Sequence, residues 1–66
     1  MNAADLLKWY DDHIRAAEAL RDRHEAAGLD DCVIVDEEEI LKLKRERVLY
    51  QIRQLRERIE GKEGAK

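Results

Sequence analysis

Residues 28–40 read Gly28-Leu29-Asp30-Asp31-Cys32-Val33-Ile34-Val35-Asp36-Glu37-Glu38-Glu39-Ile40, and the fold turns on this stretch. It separates two segments with helical periodicity. Gly28 suits a left-handed C-cap, and Leu29 is the hydrophobic residue that often packs back on the last turn. Cys32-Val33-Ile34-Val35 is a short apolar, β-branched run. It predicts an extended connector over residues 28–35 that plugs the end of a hairpin, or a short strand that pairs with its own copy across a dimer. Asp36 then predicts an N-cap, with Glu39 reaching back and Val35 and Ile40 forming a hydrophobic staple. Glu37, Glu38 and Glu39 complement the positive end of a helix predicted over residues 37–60. Gly61 ends that helix, and residues 61–66 are expected to form a flexible tail.

Upstream, the spacing predicts a helix over residues 3–27 capped by Asn2, with Asp5 near its positive end. At about 100° per residue, Leu6, Tyr10, His13, Ile14, Ala17, Leu20 and His24 gather on one face. Downstream, Leu41, Val48, Ile52, Leu55 and Ile59 form a stripe with heptad spacing, interrupted by Arg45. Leu43 and Tyr50 lie on a different side of the same helix, roughly 140–200° away. Two helices of similar predicted length favour an antiparallel hairpin. Folding about residues 32–33 sets Leu6 near Ile59, Tyr10 near Leu55, Ala17 near Val48 and His24 near Leu41.

Composition agrees with an all-α, coiled-coil-like chain. Of 66 residues, 44% are charged, with no proline and three glycines. A chain this short, with Cys32 as its only cysteine and no Cys/His cluster, has neither disulfide nor metal to staple it. Oligomerisation is the remaining common solution. The expected architecture is one 66-residue hairpin domain that pairs into a homodimeric four-helix bundle. No apolar run approaches the length of a membrane span. The start, Met1-Asn2-Ala3-Ala4-Asp5, lacks the pattern of a signal peptide, so a cytoplasmic protein is expected.

Charge is unevenly placed. Residues 28–39 carry six acids and no base, while residues 40–66 carry four acids and nine bases. The net charge of −3 argues against a dedicated nucleic-acid binder. Lys42, Arg45, Arg53 and Arg56 fall on one side of helix two and are the candidate phosphate contacts, with a solvated face as the plainer reading.

No base–nucleophile pair or paired acids mark an enzyme, and no cofactor or metal is implied. Cys32 reads as a small buried apolar residue, and the acidic run lacks the ligand spacing of a calcium loop. His13 and His24 are too far apart along one helix to share a metal; a partly buried histidine bonded to a carboxylate is expected instead. Trp9, Tyr10, Leu43, Leu49 and Tyr50 are the candidate interface with a partner or second copy.

Leu43-Lys44-Arg45-Glu46-Arg47 followed by Ile52, with a histidine in helix one, resembles the YdcH-like family of short bacterial two-helix proteins. That family's Leu-Lys-Asp element is missing, and Leu49-Tyr50-Gln51 stands in its place, so membership is not read from it. The function expected from the residues is that of a small interaction module, of the kind frequent among bacterial and phage proteins. It would act as a regulator, adaptor or inhibitor that binds another protein through a helical face. The alternatives are a nucleic-acid accessory protein and a small-ligand or nucleotide binder at a subunit interface.

Overall fold

The computed structural model describes residues 2–64, with side chains through residue 61; positions 65 and 66 of the expected tail lie outside the described residues. Two helices form, α1 over Ala3–Ala26 and α2 over Asp30–Gly64, and they pack against each other as a hairpin. At 24 and 35 residues they measure roughly 36 and 52 Å. The molecule is a rod of 59 × 18 × 12 Å.

α1 begins as its sequence dictates. Asn2 adopts an extended backbone, and its Oδ1 accepts a hydrogen bond from the Asp5 N–H at 2.9 Å. The helix ends at the expected glycine. Gly28 has φ +72°, and reverse hydrogen bonds from the Gly28 N–H to the Glu25 carbonyl (3.0 Å) and from the Leu29 N–H to the His24 carbonyl (2.9 Å) satisfy the last turn.

The connector differs from the extended segment expected over residues 28–35. α2 starts at Asp30, directly after the turn, and its first hydrogen bond runs from the Val33 N–H to the Leu29 carbonyl at 3.0 Å. Cys32-Val33-Ile34-Val35 is therefore helical despite its β-branched residues. The penalty for such residues in a helix is a few tenths of a kcal/mol each. A helix, in return, satisfies every backbone group that an extended connector would leave seeking partners. Asp30 and Asp31 sit in the first turn, where their charge opposes the helix dipole. Asp36 is then an interior helical residue rather than an N-cap, and the Val35–Ile40 staple does not form: Val35 is exposed and Ile40 buried. Gly61 does not end the helix either, which continues through Gly64.

The facing surfaces also differ from expectation. Ile14, Ile40 and Leu43 make the buried apolar core, and no described side chain is fully enclosed. The inner face of α2 follows Val33, Asp36, Ile40, Leu43, Arg47, Tyr50 and Gln54, all buried or half-buried at alternating spacings of three and four. The stripe expected to face α1 points away: Leu41, Val48, Ile52, Leu55 and Ile59 are 45–64% exposed. The two faces of α2 lie about 120° apart.

Polar pairs mark the inner face. Arg47 Nε donates to Asp11 Oδ1 at 2.8 Å and its Nη2 to Oδ2 at 3.5 Å, Lys44 Nζ lies 3.9 Å from Glu18, and His24 Nδ1 lies 2.5 Å from Asp36 Oδ2. The three contacts are symmetric about residues 29–31 rather than 32–33. With the apolar stripe inward these contacts would be lost; Asp11 and Glu18 keep 47% and 39% of their side-chain surface exposed, so each of their pairs is worth only ~0.2–1 kcal/mol. With this register Ala3 falls opposite residue 57, so the last seven residues of α2 extend past α1.

Candidate interaction surface

Outward-facing residues of α2 form a continuous seam. In a heptad frame Leu41, Val48 and Leu55 occupy one repeating position, and Arg45, Ile52 and Ile59 the other. Ile34 and Glu38 extend the same line toward the turn. Ile34, Leu41, Val48, Ile52, Leu55 and Ile59 are each at least 45% exposed. Toward the C-terminal end, Ile52, Leu55 and Ile59 line a shallow apolar groove with Arg56 and Glu60 at its margins. Scattered exposed leucines are ordinary on a soluble protein, but a contiguous apolar line of this length is the mark of a surface that another chain covers.

The residues expected at an interface are divided by the structure. Leu43 is buried inside the hairpin at 8% exposure, and Tyr10 and Tyr50 are half-buried on the inner faces, opposite each other by register. Leu43 therefore belongs to the intramolecular core because Ala17 and Ile14 of α1 face it. The tyrosines likewise are not disposed to form a ligand pocket between subunits. Leu49 is 57% exposed and flanks the seam. Trp9 is 41% exposed on the outside of α1, where it meets Tyr10 edge-to-face at 5.1 Å and stacks on His13 at 3.8 Å. His13 is exposed, contrary to its expected place on the packed face, and its Nδ1 lies 2.8 Å from the Trp9 carbonyl oxygen.

His24, by contrast, is the partly buried histidine bonded to a carboxylate that the sequence implied, its partner being Asp36. Asp36 is the feature that sequence reasoning missed. It is 9% exposed, yet its place in the Asp36, Ile40, Leu43, Arg47 series is visible once a polar residue is admitted to a packed face.

Lys42, Arg45, Arg53 and Arg56 are all exposed, and none joins an ion pair among the described residues. Arg45 lies in the seam, and Lys42, Arg53 and Arg56 lie along one margin. On α1, the Arg21 guanidinium is held above its ordinary pKa, first by its hydrogen bond to Asp22 and also by the charges of Asp22, Glu18 and Glu37. Among the described residues no three His, Cys, Asp or Glu side chains come together to hold a metal ion, and no helix is long and apolar enough to cross a membrane.

No protein-family model, curated protein or solved structure matches this chain. The residues of the seam are therefore the ground for a functional reading.

Proposed function

We propose that the chain is a small, non-enzymatic interaction module of the cytoplasm whose α2 seam receives a helix from another polypeptide. One observation carries this reading: the most hydrophobic face of the molecule, Leu41, Val48, Ile52, Leu55 and Ile59, is outside the hairpin. Covering a large apolar side chain is worth ~1.5–3 kcal/mol. Heptad spacing selects a helix as the covering element, because knobs at these positions fit the holes of a facing helix. Glu38 and Arg45 interrupt the apolar line. Polar residues at such positions select partner and register at some cost in stability. A regulator, adaptor or inhibitor works through a surface of this kind. If the incoming chain brings a hairpin of its own, the product is a four-helix assembly.

Photo-cross-linking in living cells tests the proposal. A photoreactive amino acid replacing Ile52 should give a discrete cross-linked protein species, while the same group at Lys8, on the exposed side of α1, should give none. Absence of any discrete product from position 52 overturns the reading.

A further inference from the structure

The seam has direction as well as character. α2 opens with Asp30, Asp31, Asp36, Glu37, Glu38 and Glu39 and no base up to residue 39, while residues 40–66 hold nine bases against four acids. We infer that the seam is occupied by a second copy of this chain, its α2 running antiparallel to the first about a two-fold axis near residues 46–47. This rests on the seam being a protein-binding surface and adds the identity of the occupant and its direction.

Area is the first support. The chain exposes 5459 Å², whereas a compact protein of 7.8 kDa is expected to expose roughly 4400 Å². The excess, on the order of 1000 Å², is close to the ~800 Å² that each partner contributes to an ordinary stable interface. A second copy offers a matching excess, and a two-fold pairing of like surfaces closes without leaving a free end for further addition.

Charge is the second support, and it fixes the direction. A parallel pair would set six acids beside six acids at the turn end, and would place Glu38 against Glu38 within the seam. Like charges so juxtaposed oppose association. An antiparallel pair with full overlap instead brings Glu37 and Glu38 alongside Arg56 of the copy. Arg56 and Glu60 border the seam at this end, while Glu57 projects toward the other side of the helix. Leu41 meets the copy's Ile52, and Ile34 meets its Ile59, so each end of the apolar line is covered. Because the seam lies about 120° around α2 from the face that meets α1, the two α2 helices are central and the α1 helices lie outside.

Sedimentation of the full-length chain over a range of concentrations, combined with a spin-label distance, tests the inference. The label goes on Asp31→Cys in a Cys32→Ser background, since Asp31 is exposed at the turn end. The expected result is a dimer with labels roughly 45 Å apart, because each turn lies at the far end of the other hairpin's α2. A dimer with labels within about 20 Å, the spacing of side-by-side helix ends, overturns the antiparallel arrangement. A monomer at every concentration overturns the second copy as occupant. In that event a cross-link from position 52 to a different protein leaves the seam's role intact, and no cross-link removes both.

Discussion

On one side of α2, Asp36, Ile40, Leu43 and Arg47 lie against α1; about 120° around the same helix, Leu41, Val48, Ile52, Leu55 and Ile59 stand in the open. The first face is the more polar and the more buried. The second is the more apolar and the more exposed. Hydrophobicity alone would have ordered them the other way. The inward face is the one whose charged residues find partners on α1, Asp36 with His24 and Arg47 with Asp11. Asp11, Glu18 and His24 find Arg47, Lys44 and Asp36 only when α2 presents its mixed face. The more apolar face is left exposed.

The largest effects should separate these two faces. Leu43→Ala should destabilise the fold by ~2–4 kcal/mol at every protein concentration, read from urea or thermal unfolding. Ile52→Ala should destabilise only where the chain is associated, and the difference from wild type should vanish on dilution. Equal losses for both variants in dilute solution would erase the distinction between inner and outer face.

Asp36→Ala should come next, at ~1–3 kcal/mol, because it strips His24 of its partner in a half-buried site. Asp36→Asn, which retains an acceptor oxygen, should recover part of that loss; an unchanged urea midpoint in both would show the pair to be inert. Gly28→Ala should cost ~1–2 kcal/mol from its left-handed backbone alone, as open space surrounds the position. A double-mutant cycle on Asp11 and Arg47 should return a coupling of only ~0.2–1 kcal/mol, since both side chains are partly in water. Smallest of all, Val35→Ala should stay within ~0.5 kcal/mol, because Val35 is 63% exposed. A loss well above that would restore the staple and an α2 that begins near residue 37. Amide exchange provides the same check from the backbone, with protection expected at Val33 through Asp36.

Much of the hairpin is legible in the residues. Asn2 and Gly28 announce the ends of α1 because each supplies a local hydrogen-bonding or backbone property that few other residues can. The two faces of α2 are legible as well, since Leu43 and Tyr50 fall off the main apolar stripe. Which face turns inward is not, because it depends on charges brought together from positions 36 residues apart, as in Asp11 and Arg47. The start of α2 is obscured for a related reason. Val33, Ile34 and Val35 favour strands locally, and Asp36 with three glutamates imitates a cap. Only the tight turn and the pairing with His24 show that the helix already runs through them. Of the interface residues named from sequence, Trp9 and Leu49 are exposed and Leu43 is core. That division follows from the same reversal of faces.

The last seven residues of α2 run past the beginning of α1. Ile59, 58% exposed, sits on this projecting piece. Two turns of helix without lateral support are marginal in water. On the proposed dimer, their support would come from the second copy along the seam. The amides of Ile59 and Glu60 therefore act as a native gauge: their exchange with solvent should track the unoccupied fraction of the protein, while those of Ile40 and Leu43 track whether it is folded at all.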